Sequence, residues 1–198
     1  MLSACSWLGS GTQSDTATPV APLSADELLR RSDEAMRELT FVSVAADVRP
    51  TVSGRRPYHD ELEFRGPRCL RNARSAAGPP TANCPCGWTE LTAPYAHYFD
   101  RASGGVFGPG PQLGATTATG VRYLRWEKYD GRHAYVIAYE FKAASVEGPF
   151  NVFRTEWIDA STLLLLRQEQ EDDDPFGVRA HVTATLSEFD ARTAPPCE

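Results

Sequence analysis

Between residues 121 and 189 apolar side chains recur at every second position, and that period settles what this half of the chain can form. Tyr135, Ile137, Tyr139 and Phe141 share one side of a first segment, Phe153, Thr155 and Trp157 one side of a second, and Val178, Ala180, Val182, Ala184 and Leu186 one side of a third. A period of two puts alternate side chains on opposite faces of a strand and is incompatible with a helix. The pattern predicts strands over 121–128, 132–142, 151–159, 163–170 and 178–189. The sequence Tyr129-Asp130-Gly131 joins the first two; Asp-Gly is a hairpin signal because the turn needs positive φ. Asp159-Ala160-Ser161-Thr162 is another turn, and 171–177 reads as a loop. Short connections between successive strands imply antiparallel meander pairing.

The first half opens differently. Ser24-Ala25-Asp26-Glu27 is a capping box, in which the serine accepts from an amide three residues on and the glutamate reaches back. Leu28, Leu29, Ser32, Ala35, Met36 and Leu39 form a stripe at helical spacing, with Arg30, Arg31, Asp33, Glu34, Arg37 and Glu38 placed outside it. This predicts a helix over 25–39. From Phe41 the period changes to two, with Val42, Val44, Ala46 and Val48 on one side until Pro50. Leu62 and Phe64 mark a second strand, and Cys69 and Leu70 a third. Residues 75–87 are a loop, 88–99 read as either strand or helix, and the Gly/Pro-rich stretch 102–120 has no period. Eight or nine strands and one helix result: an α+β chain.

Composition narrows the function. Of 198 residues 23 % are charged and 41 % hydrophobic, and the net charge is −6. An acidic chain is a poor match for phosphate backbones, so nucleic acid is not an expected partner. His59, His97, His133 and His181 lack the paired spacing of a metal site, and there is no Gly-x-Ser-x-Gly elbow or phosphate-binding Gly-Lys loop. No catalytic residue, metal or cofactor is expected. The acidic run 169–174 reads as a solvated hairpin tip rather than a calcium site.

The N-terminus and the cysteines point to an extracytoplasmic compartment. Leu2-Ser3-Ala4-Cys5 matches a bacterial lipobox, with Cys5 as the residue that takes the lipid, and a Ser/Thr/Gly/Pro-rich tether follows to residue 23. Nothing apolar precedes Leu2, so lipidation requires a start upstream of Met1; the competing reading is a disordered tail with an inert cysteine. Cys69, Cys84, Cys86 and Cys197 are an even set suited to two disulfides. A bond between Cys84 and Cys86 would close a very tight ring around Pro85. Cys69 is therefore expected to pair with one of the two and Cys197 with the other. Structural zinc sites space their ligands more widely than Cys84 and Cys86.

Three stretches resemble the LolA-like and LppX-like bacterial lipoprotein and lipid carriers. They are 127–137, with its Asp-Gly hairpin and Tyr135-Val136; 155–162, reading Thr-Glu-Trp-Ile-Asp-Ala-Ser-Thr ahead of a Leu-rich strand; and the closing strand 182–190. The early helix before Phe41 also fits. Where those families place further helices, this chain has a Cys-rich knot and a Gly/Pro loop. The resemblance implies a strongly bent antiparallel sheet, an unclosed half-barrel, with the helix covering its concave face, formed by a single domain over 24–198. It implies an apolar cavity for an acyl-chain ligand. Bulky residues alternating with polar or small ones make Phe64, Tyr135, Ile137, Tyr139, Phe153 and Trp157 its expected walls, with parity leaving open which face is the concave one. The expected partners are a lipid or acylated ligand, a membrane through Cys5, and, in a sensor variant of the same reading, another envelope protein.

Overall fold

Ser24 starts the helix as its spacing predicts. Its side chain accepts from the Glu27 amide at 3.2 Å, and helix α1 runs Ala25–Arg37. Replacing Ser24 with alanine removes that acceptor and is expected to cost about 1 kcal/mol, measurable by urea unfolding. The exposed side is tied by Arg30 to Glu34 at 2.5 Å and by Arg31 to Glu27 at 2.6 Å. Hydrogen bonds from Arg30 and Arg31 hold the Glu27 carboxyl down at about 2. This computed structural model describes residues 23–51, 56–66, 68–72, 80–91, 117–145, 148–173 and 180–190.

Among the described residues nine strands follow: β1 Phe41–Pro50, β2 Tyr58–Arg65, β3 Cys69–Asn72, β4 Thr89–Glu90, β5 Thr119–Tyr129, β6 Arg132–Ser145, β7 Gly148–Asp159, β8 Leu165–Asp173 and β9 Ala180–Ser187. They form one antiparallel sheet in the order β4-β3-β2-β1-β9-β8-β7-β6-β5. Its end strands, β4 and β5, are not paired with each other, so the sheet is open. The last strand of the chain inserts beside the first: Val44 pairs with Leu186 and Val48 with Val182. That closure is latched by Asp190, whose Oδ1 accepts from the Thr40 amide and hydroxyl, each at 2.7 Å.

The Asp130-Gly131 turn forms as expected, with φ of 45° and 79°. The helix ends two residues before its expected end and β5, β6 and β7 run longer than the sequence pattern; β8 is shifted at both ends. The acidic loop begins later, because β8 continues through Asp173 and pairs Asn151 with Asp173. Leu163 and Leu164 belong to the turn, not the strand: Leu163 has φ of 61°, and its amide donates to the Asp159 carbonyl at 2.9 Å. The Asp159 side chain organises this turn. Its Oδ1 accepts from the Ser161 amide at 2.7 Å, the Ser161 hydroxyl at 2.6 Å and the Thr162 amide at 3.0 Å, while Oδ2 faces Arg132 at 3.4 Å.

Burial pushes the Asp159 carboxyl up, but the bonds from Ser161 and Thr162 and the Arg132 charge outweigh it and leave it below its usual value. A depressed folded-state pKa stabilises the fold above the unfolded value, near 3.9, and the contribution fades as pH falls through the folded value. Asp159→Ala is expected to lose about 2 kcal/mol at neutral pH, since bonds to a charged acceptor are the strong ones. In urea titrations at pH 7 and pH 3, the gap between wild type and variant narrows at the lower pH.

Candidate functional site

The helix lies against one face of the sheet. Leu28 and Leu29 are buried with Ile137, Tyr139, Phe141, Val152 and Ile158. Met36 and Leu39 are buried with Val42, Val44, Ala46, Phe64, Leu165, Ala184 and Leu186. Met36 also meets the backbone directly, with the Leu165 amide 3.3 Å from its Sδ. Asp33 corrects the helix reading: it is fully buried, not outside. At 3.6 residues per turn it stands four residues after Leu29 and three before Met36, squarely on the inward stripe.

Between those two apolar clusters a row of polar side chains crosses the same face of the sheet. Register fixes it: Tyr139 pairs with Arg154, Arg154 with Gln170, and Glu156 with Gln168. Arg154, Glu156, Gln168 and Gln170 are all at most 2 % exposed. The Tyr139 hydroxyl donates to Glu156 Oε1 at 2.7 Å and accepts from Arg154 Nη1 at 3.3 Å. Arg154 Nη2 donates to Gln170 Oε1 at 2.5 Å, and Gln170 Nε2 donates to Asp172 Oδ1 at 2.7 Å. The guanidinium stacks over Phe141, 4.9 Å from its centroid.

Of the six expected wall residues, four come to this face. Ile137 and Tyr139 are buried on β6, Tyr135 is half-buried beside them, and Phe64 is buried farther across the sheet on β2. Phe153 and Trp157 do not join them. On β7 the inward residues are Val152, Arg154, Glu156 and Ile158, so Phe153 and Trp157 point to the opposite side, opposite Glu140 and Val136. The six therefore cannot line one pocket. Trp157 packs with Ala134, Val136 and Leu166, donates from Nε1 to Glu127, and lies between the guanidinium groups of Arg125 and Arg167 at 5.7 and 5.0 Å. Phe153 is 45 % exposed and borders an open groove of about 310 Å³ with Arg122, Glu140, Glu169 and His181.

Cys69 and Cys84 form a disulfide, which selects one of the two expected pairings for Cys69. The bond is buried with Phe41 and Trp88 against the far end of the sheet. Cys86 is disulfide-bonded as well. Cys5, Cys197 and His97 lie outside the described residues, as do residues 102–116 of the Gly/Pro-rich stretch. The other histidines sit at the surface: His59 lies 2.9 Å from Asp47, His181 lies 3.5 Å from Glu171, and His133 stacks on Trp126. Among the described residues no group of three or more His, Cys, Asp and Glu could hold a metal ion, and no helix is long and apolar enough to cross a membrane.

An open antiparallel sheet with one amphipathic helix laid on an apolar face thus defines the architecture. No family model matches the sequence, and no curated protein matches it. Solved structures to which the chain is similar include the lipoprotein LppX of Mycobacterium tuberculosis, at 14 % identity over 86 % of this chain and 97 % of that one, with a TM-score of 0.48. LprF of Mycobacterium bovis is similar at 14 % identity over 87 % and 96 %, with a TM-score of 0.48. A LolA superfamily protein of Nitrosomonas europaea is similar at 13 % identity over 88 % and 96 %, with a TM-score of 0.30.

Proposed function

We propose that this protein is an extracytoplasmic lipoprotein that binds or carries an acyl-chain ligand between the helix and the sheet. The observation that carries the reading is a mismatch of size. A helix of 13 residues is about 20 Å long and about 10 Å wide, whereas nine strands at about 4.8 Å spacing span close to 40 Å. Apolar side chains face the helix side from β1 to β7, and among the described residues one helix lies on that face. The apolar side chains at its margins, Leu62, Leu70, Val121, Tyr135 and Phe150, are only partly buried, and an acyl chain would complete their cover. Phe64, Tyr135, Ile137 and Tyr139 are the side chains we assign to that wall. Under the same reading Cys5 carries a lipid anchor and Cys86 pairs with Cys197.

Two measurements test it. Mass spectrometry of a solvent extract of the natively purified protein is expected to find acyl lipid in near-equimolar amount, and the delipidated protein is expected to bind a fluorescent acyl probe. Failure of the probe to bind would overturn the reading. Cys5→Ala is expected to move the protein from the membrane to the soluble fraction, because acyl chains contribute about 0.8 kcal/mol per buried methylene. A second reading, docking of another envelope protein, is favoured by exposed Phe153 on its groove and by Tyr123 and Leu124, each 40 % exposed on the end strand β5.

A further inference from the structure

We infer that the polar row of Tyr139, Arg154, Glu156 and Gln170 holds the uncharged, oxygen-bearing head of an acyl ligand, an ester or hydroxyl, rather than plain hydrocarbon or a free carboxylate. This inference rests on the acyl-ligand reading above and adds to it the chemistry of the head group.

The first argument is position. The row sits in the middle of the helix-side face, with Val152 and Ile158 beside it on β7 and Ala184 paired to Gln168 on β9. Buried polar groups are costly unless hydrogen-bonded, and apolar side chains of similar size would serve the sheet at least as well. A polar row kept at this depth therefore points to recognition.

The second argument is an open donor. Arg154 is 1 % exposed and held in place at both terminal nitrogens, by Tyr139 and by Gln170, with Phe141 against its plane. Its Nε is buried and has no hydrogen-bond partner among the described residues. A guanidinium cannot lose its proton to escape that situation, so the buried Nε–H calls for an oxygen acceptor. Hydrocarbon offers none.

The third argument is charge. Arg154 and Glu156 are both buried on the helix side of β7, one cation and one acid linked through the Tyr139 hydroxyl. A fatty carboxylate or phosphate would bring further negative charge to a dry region where Glu156 already stands beside the Arg154 charge. A neutral carbonyl or hydroxyl oxygen meets the Nε–H without that cost. The apolar residues on either side of the row then take the chain.

The test uses the full chain, delipidated, with a bound fluorescent acyl probe displaced by monopalmitoylglycerol, palmitate or hexadecane, which share one chain length. Monopalmitoylglycerol is expected to displace the probe at about tenfold lower concentration than either of the others, the effect of one hydrogen bond to a charged donor. Arg154→Lys keeps the charge and removes the Nε donor, and is expected to bring the three competitors within roughly threefold of one another. Equal competition on the wild type, or a preference for palmitate, overturns the inference while leaving the acyl-ligand reading standing. So does unchanged discrimination in a folded Arg154→Lys variant. The wild-type comparison needs no variant to fold. If the probe binds nowhere, the acyl-ligand reading falls and this inference with it.

Discussion

Replacing Arg154 with methionine is expected to destabilise the fold by about 3–5 kcal/mol, the scale of removing one charge from a buried network, here one in which the Tyr139 hydroxyl links Arg154 to Glu156. Methionine fills a similar length, so the loss is one of charge and bonding more than of volume. What remains is worse than an apolar core: Tyr139 loses the Arg154 donor, Gln170 Oε1 loses its 2.5 Å bond, and the Glu156 carboxyl stays buried without the guanidinium. The converse follows from the same physics. Arg154→Met combined with Glu156→Met removes both charges, and much of the stability is expected to return, because apolar replacement of a whole buried pair is often neutral or stabilising. Urea unfolding of the two single variants and the double variant measures the coupling. An additive cycle would mean that Arg154 and Glu156 act independently, and a single variant within about 1 kcal/mol of wild type would mean that the row is solvated.

The polar row also shows where sequence reasoning stops. Elements with local signals are legible: the Ser24 cap, the apolar stripe of α1, and the Asp130-Gly131 hairpin with its positive φ all have their cause within a few residues. Strand parity is local too, and it correctly groups Tyr135, Ile137, Tyr139 and Phe141 on one face. What parity lacks is the relation between strands. On β7 the bulkier set, Phe153 and Trp157, looks inward by hydropathy, yet the inward set is Val152, Arg154, Glu156 and Ile158. The β6–β7 connection decides this. Ser145 pairs with Gly148, leaving two residues between them, and from there each odd-numbered residue of β6 faces an even-numbered residue of β7. Setting Ser145 opposite Gly148 would have carried Arg154 to the side of Tyr139 from sequence alone. Asp33 was legible in principle as well: the helical wheel places it between Leu29 and Met36, and only its charge argued for the outside. The insertion of β9 between β1 and β8 has no local signal, since it joins residues at opposite ends of the chain.

Removing the Cys69–Cys84 bond by Cys69→Ala and Cys84→Ala together is expected to cost about 3 kcal/mol, the chain-entropy value for a loop of its size, with 15 residues separating the two cysteines. The bond ties residues 80–91 to β3. There the buried sulfurs meet Phe41 and Trp88, and the Arg71 guanidinium lies over the Trp88 ring at 5.4 Å. The strands it secures are short. β3 has four residues and β4 has two, and β4 is held by only two paired positions, Cys69 with Glu90 and Leu70 with Thr89. A two-residue strand at a sheet edge has too few bonds to order itself, so the covalent tie limits the disorder of the unfolded chain on its behalf. Two readouts separate this from simple loss of packing. The denaturant slope is expected to rise in the double alanine variant, since an unfolded chain without the crosslink exposes more surface. Reducing agent is expected to destabilise the wild type more than the variant, which has only the Cys86 bond left to lose. Hydrogen exchange should then show the loss concentrated at 69–72 and 89–90, with β6 and β7 protected as before. A loss spread evenly over the sheet would instead make the bond a brace for the whole fold rather than for this edge.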